Sequence, residues 1–220
     1  MQVEAVVLHI AKYNDRSQIV HLYTESGGRE QFMLYGNRHK PLLPLGYIDM
    51  EASGRSSMRQ MRNHSLLYTP RRSTMTTQTV SIFIAEILYS VLTHPMPDKN
   101  IFSFLKSLQQ RIDESATPQN LHLWFLLNFA RLLGFLPAIF TENDYVDLQT
   151  GEDSLQMPLH GDYLNRQEIL CLQQLIMSED CNLSNTMRRL LLDKIIKYYC
   201  SQLSQFSTPR SMQILSEVWK

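Results

Sequence analysis

Apolar and polar residues alternate with period two over the first third of this chain, then recur with helical spacing to its end. Val3, Ala5 and Val7 share one face of an extended segment, and Val6, Leu8 and Ile10 share the other. Tyr13-Asn14-Asp15-Arg16 breaks that segment with turn-forming residues. A second strand, Ser17 to Thr24, carries Ile19, Val20, Tyr23 and Thr24. Glu25-Ser26-Gly27-Gly28 turns the chain again, because glycine takes positive φ without strain. Arg29 to Gly36 is predicted as the third strand, with Phe32, Leu34 and Tyr35. The loop 37–44 is charged and holds Pro41 and Pro44, which cannot donate to a central ladder, so it is expected to be exposed. Leu45 to Ala52 and Met58 to Tyr68 are predicted as strands four and five. Five short strands in roughly 70 residues match a five-stranded Greek-key barrel of the OB type.

Beyond Pro70-Arg71-Arg72-Ser73 the period changes. Val80, Phe83, Ile84, Ile87, Leu88, Val91 and Leu92 form a wide stripe that predicts a helix over Thr76–His94, central in its domain and stopped by Pro95 and Pro97. Asp98 is the expected N-cap of a second helix over Ile101–Asp113. Thr117-Pro118 opens a third, which Gly134 closes. Residues 138–164 form an irregular, acidic insertion, with a short strand and turn over Tyr145–Gly151. Asn165 caps a helix to about Met177, Asn182 or Ser184 starts another to about Leu203, and Ser207 or Thr208 with Pro209 starts the last, which ends near Trp219. The expected class is α+β: an N-terminal five-stranded OB-type β-barrel over 1–75, followed by an all-helical C-terminal domain over 76–220.

Composition narrows the function classes. There is no run of 18 apolar residues, so no membrane span or membrane partner is expected. Met1-Gln2-Val3-Glu4 lacks the regions of a signal peptide, so a cytoplasmic location is expected. Cys171, Cys181 and Cys200 are too few and too far apart for a disulfide framework or a zinc site, and are read as reduced thiols. GxSxG, GxxxxGK[ST], HExxH and GxGxxG are all absent, so no enzyme, no catalytic residue, no metal and no cofactor are expected. His160 is the best isolated histidine, yet a turn residue that bonds the backbone is the weightier reading.

Charge supplies the positive signal. The net charge is zero, but residues 1–80 hold 10 Lys and Arg against 6 Asp and Glu, and residues 81–220 hold 11 against 15. Lys12 and Arg16 flank the first turn and Arg29 follows the second. Arg38 and Lys40 fill the loop before strand four, and Arg55, Arg59 and Arg62 lie on the last hairpin. Tyr13, Tyr35 and Tyr47 are interleaved with them. Cations neutralise phosphates and aromatic rings stack on unpaired bases, so the set predicts a nucleic-acid surface. Arg59 and Arg62 are three apart, so a bulge or bend between them is needed if both are to face one ligand. An alternative is an adaptor whose OB domain binds a protein rather than DNA. Lys106 and Arg131 are candidates for a basic rim on an apolar groove that takes an acidic peptide.

Several motifs share a familiar order. Ala5-Val6-Val7-Leu8, Ile19-Val20-x-Leu22-x-Thr24, Gly27-Gly28 and Gly36-x-Arg38 come first. Phe83-Ile84-Ala85-Glu86-Ile87-Leu88-Tyr89, Phe102-x-Phe104-Leu105 and Leu132-Leu133-Gly134-Phe135-x-Pro137 follow. Tyr145-Val146-Asp147-Leu148-x-x-Gly151, Pro158-Leu159-His160-Gly161 and Arg210-Ser211-x-x-Ile214-Leu215 complete the set. In this order they resemble the RecO family of bacterial recombination mediators over nearly the whole chain. The insertion has no cysteine, so the resemblance is to zinc-less members. It implies a non-enzymatic DNA-repair protein that binds single- and double-stranded DNA and anneals strands. It also implies work with RecR to load a recombinase on DNA coated by single-strand-binding protein, whose acidic C-terminal tail is a further expected partner.

Overall fold

The structure is a computed structural model and describes residues 2–36, 41–54, 58–68, 73–178 and 181–218. β1 (Gln2–Asn14) is long enough to serve two partners. Its N-terminal part pairs antiparallel with β4 (Tyr47–Ser53), Gln2 opposite Glu51 and Val6 opposite Tyr47. From Ala5 onward it pairs with β2 (Ser17–Thr24), and a register shift between Val7 and His9 bends it there. β2 pairs with β3 (Gly28–Tyr35), β3 runs parallel to β5 (Arg59–Leu66), and β5 returns antiparallel to β4. The order β1-β2-β3-β5-β4 closes into a barrel, which removes the free edges an open sheet would present. This is the five-strand architecture that the alternation predicts.

One face of each strand fills the barrel: Ala5, Val7, Val20, Leu22, Phe32 and Ile48 are fully buried there. Val6 and Leu8, on the other face of β1, are buried as well, because helices α1 (Met75–Val91) and α2 (Lys99–Glu114) pack against that strand. Gly28 has φ +66°, and a Cβ there would lie 2.4 Å from the Met96 carbonyl oxygen. Both the turn and the approach of the segment after α1 therefore require glycine. The Tyr23 hydroxyl donates to that same Met96 oxygen (3.2 Å) and accepts from Asp98 N–H (3.1 Å).

The change from strand to helix falls near residue 75, and the chain divides into two compact units, Met1–Glu114 and Ser115–Lys220. The first two helices group with the barrel because they cover its otherwise exposed apolar face.

In the second unit a 3-10 turn at Pro118–Asn120 leads into α3 (Leu121–Leu133). The helix buried almost all round is α3, with every residue from Leu121 to Leu127 inside, rather than the stripe at Thr76–His94. Gly134 ends α3 at φ +84°, and Phe135 N–H donates to Ala130 O (3.0 Å), the expected glycine stop. Thr117, expected as its N-cap, makes no side-chain cap bond. The insertion is more regular than its sequence suggests: β6 (Tyr145–Asp147) lies between β7 (Asp153–Ser154) and β8 (Tyr163–Asn165) in an antiparallel sheet. Asn165 and Glu168 form a capping box on α4 (Arg166–Met177), and Ser184 caps α5 (Asn185–Gln202). The last described helix is α6 (Ser211–Val218). Cys181 is buried and Cys171 and Cys200 half-buried, all three as free thiols.

Candidate nucleic-acid interface

Among the described residues the barrel distributes the predicted basic side chains over two places. The first is the barrel end at the β1–β2 turn. Asn14 Oδ1 accepts from Arg16 N–H at 2.9 Å, which tightens the turn and leaves the Lys12, Tyr13 and Arg16 side chains exposed. Ser17 pairs with Tyr35, and Gly36 N–H donates to Arg16 O at 2.7 Å, so the end of β3 lies against the same turn. Tyr13 and Tyr35 are 63% and 54% exposed there. Lys12 Nζ meets Asp15 Oδ1 at 3.0 Å, an exposed pair that restrains it weakly. Arg62 is also exposed and lies one step past Met61, which pairs with Leu34, at the level of Tyr35.

The second place is a cleft of about 430 Å³ lined by His21, Arg29, Glu30, Gln31, Arg59, Thr93 and Pro95. Its two arginines are committed. Arg29 Nη1 donates to Tyr89 O and Leu92 O, both at 3.0 Å, and its guanidinium lies 4.2 Å from the Tyr89 ring centre. It thus satisfies carbonyls that the C-terminus of α1 leaves without an intrahelical donor, with the charge favoured at that end. Arg59 forms an ion pair with Glu30 and lies 4.8 Å from the Phe32 ring centre. A register shift occurs in the β4–β5 pairing between Met50/His64 and Ala52/Met61, so on β5 it falls within the Met61–His64 stretch that contains Arg62. Arg59 turns to Glu30 while Arg62 faces solvent.

His9, His21 and Tyr89 form a ring cluster beside this cleft that residue patterns alone do not reveal, with centroids 4.5 to 6.0 Å apart. Burial, then Arg29 and His9, hold the His21 imidazole below its usual range. Alternation places His9 and His21 only in strands. Their meeting depends on α1 bringing Tyr89 over the sheet.

Arg38, Lys40 and Arg55 lie outside the described residues. Lys106 and Arg131, expected to share a rim, fall in different units. Lys106 Nζ meets Glu4 Oε2 at 3.0 Å and lies 5.0 Å from the Tyr47 ring centre. Bonds to Tyr47 and Glu4 raise its pKa, and the same contacts lower that of Glu4. Arg131 is exposed in the last turn of α3. His160 is a turn residue whose Nδ1 accepts from Asp162 N–H at 3.3 Å and whose Nε2 meets Asp147 Oδ2 at 3.1 Å. Among the described residues no group of three or more His, Cys, Asp or Glu is placed to hold a metal ion. No described helix is long and apolar enough to cross a membrane. The first unit holds 13 Lys and Arg against 10 Asp and Glu, and the second 8 against 11.

A closed OB-type barrel with exposed basic and aromatic side chains at one end, in a chain that continues into helices, defines a two-unit α+β protein with an OB-type barrel. Residues 72–211 match the family model for the recombination protein O C-terminal region. The chain belongs to the RecO family. It is similar to the DNA repair protein RecO of Bacteroides fragilis, 29% identical over 239 residues and covering 97% of each chain. It is also similar to the DNA repair protein RecO of Flavobacterium psychrophilum, 28% identical, covering 100% of this chain and 99% of that one. A third relative, the DNA repair protein RecO of Porphyromonas gingivalis, is 25% identical over 98% of this chain and 97% of its own.

Proposed function

We propose that this protein is a non-catalytic DNA-repair and recombination mediator that grips DNA through the barrel. Family membership and the full-length likeness to proteins named DNA repair protein RecO support the repair role. The barrel end carries the DNA-binding part of the reading: Lys12 and Arg16 are cations for phosphates, and Tyr13 and Tyr35 are exposed rings for unpaired bases. Such a surface reads backbone and base faces rather than base edges, which suits strands of any sequence. In this reading the protein binds single- and double-stranded DNA, anneals complementary strands, and works with RecR to load a recombinase on DNA coated by single-strand-binding protein.

The test is a fluorescence-anisotropy titration of single-stranded DNA across a range of salt. Affinity is expected to fall linearly on a log–log plot as salt rises. Reversing Lys12→Glu and Arg16→Glu together removes two phosphate contacts and should flatten the slope by about 1.4. Undetectable binding at low salt, or a wild-type slope near zero, sinks the DNA reading. An unchanged slope in the double variant removes this end of the barrel from the footprint.

A further inference from the structure

Between Leu132 and Asn165 the chain carries six carboxylates and neither Lys nor Arg. The structure turns this stretch into a shaped object. β6, β7 and β8 anchor it, with Tyr145 opposite both Ser154 and Asn165. Asp153 binds Thr141 and Asn143, the latter at 2.6 Å, and Arg166 Nη1 donates to Thr141 O at 2.7 Å. The loop Leu155–Gly161 between β7 and β8 is held by its polar groups. Ser154 Oγ donates to Gln156 O (2.7 Å) and accepts from Gln156 N–H (3.1 Å), and His160 bonds Asp147 and Asp162 at the other end.

While these polar groups are used up inside the loop, its apolar side chains stay largely exposed, Met157 Sδ accepting from the Tyr163 hydroxyl at 3.4 Å. Leu155 is 76% exposed, Met157 57%, and Leu159 fully exposed. Isolated exposed apolar residues are ordinary, but three on one loop whose polar groups fix its shape are a candidate contact surface. Exposed Glu142, Asp144 and Glu152 lie in the same segment, while Asp162 is loosely paired with the exposed Lys197 at 3.7 Å. Carboxylates repel phosphates, so nucleic acid and anionic lipid are poor occupants. The charge calls instead for a cationic protein surface, and the apolar tip calls for a socket within it.

We propose that the insertion tip is a docking element for a partner protein that offers an apolar socket rimmed by Lys and Arg. The proposal rests on the mediator reading for its supply of partner proteins and assigns them a surface of the second unit, whereas the basic barrel end belongs to the first.

The experiment immobilises the full chain and measures binding of purified RecR and purified recombinase from the same organism, at low and high salt, with single-stranded DNA in parallel. The variant Leu155→Ser/Met157→Ser/Leu159→Ser is expected to bind at least one of the two proteins on the order of 100-fold more weakly. Its DNA affinity should match the wild type and its melting temperature should fall little, the contact of the Tyr163 hydroxyl with Met157 Sδ being the interaction the change removes. Glu142→Lys with Glu152→Lys should weaken the same interaction and flatten its salt dependence. Protein binding that is equal in the wild type and the triple-serine variant overturns the docking proposal and leaves the mediator reading standing. Wild-type binding to DNA but to neither protein sinks the mediator reading's partners, and the docking proposal with them. Self-association of the wild type that the serine changes abolish identifies a second copy as the occupant and overturns a separate partner.

Discussion

Two regions of the same barrel carry arginines, and they use them in opposite ways. At the β1–β2 turn Arg16 is exposed beside Tyr13, Tyr35 and a weakly paired Lys12. In the side cleft Arg29 is spent on two helix carbonyls and Arg59 on Glu30. In the sequence the two sets look alike, as basic residues close to turns. The difference is what lies across from them. At the turn the described side chains are exposed, whereas α1 and β5 lie over the β2–β3 side and supply carbonyls, a ring and a neighbouring strand. A count of cations thus overstates the charge a surface offers to a ligand, because partly buried guanidinium groups are retained only where they are paired.

The largest expected effect separates the two regions by stability. Arg29→Met removes both donors from the last turn of α1 and should cost about 2–3 kcal/mol in urea denaturation. The folded variant should still bind single-stranded DNA within about twofold of wild type, a factor worth less than about 0.5 kcal/mol. If Arg29→Met leaves stability intact and instead abolishes DNA binding, the two regions are not distinct in role. The converse comes next. Tyr13→Ala and Tyr35→Ala should each weaken single-stranded DNA binding by about 1–2 kcal/mol through lost stacking, with stability changed by less than about 0.5 kcal/mol. Loss of DNA affinity only in step with loss of folded protein would erase that contrast.

The smallest effect is a pH dependence confined to the cleft. His21 is held below the usual imidazole range in the folded state, chiefly by burial and then by Arg29 and His9. As pH falls below about 6.5 the unfolded chain takes up this proton before the folded one does. Folding stability should therefore decline from that pH downward. His21→Gln should reduce the decline, which denaturation curves at neutral and mildly acidic pH would show. A steeper decline in the variant would mean that His21 is charged in the fold.

Much of the architecture was legible from neighbouring residues. Alternation in Val3 to Ile10, the Gly27-Gly28 turn, the Asp98 and Asn165 caps and the Gly134 stop depend on interactions within a few positions, and all appear where expected. Thr117-Pro118 departs, opening a 3-10 turn with no side-chain cap, because a cap motif promises a bond only if the tertiary setting allows the rotamer. The exposed half of the candidate interface, Lys12, Tyr13, Arg16 and Tyr35, was legible for the same local reason: turns project their side chains outward.

The sequence by itself determined the order and type of most elements, the closed-barrel class and the family, because period, turn chemistry and motif order are carried along the chain. Only the tertiary structure decided which arginines remain exposed, where the units divide and which loop presents its apolar side chains. Those outcomes depend on groups distant in sequence, such as Arg29 and the Tyr89 and Leu92 carbonyls, or the parallel pairing of Phe32 with Arg59. Hydrogen bonds and burial act through space, and no local pattern records which distant group will arrive to complete them.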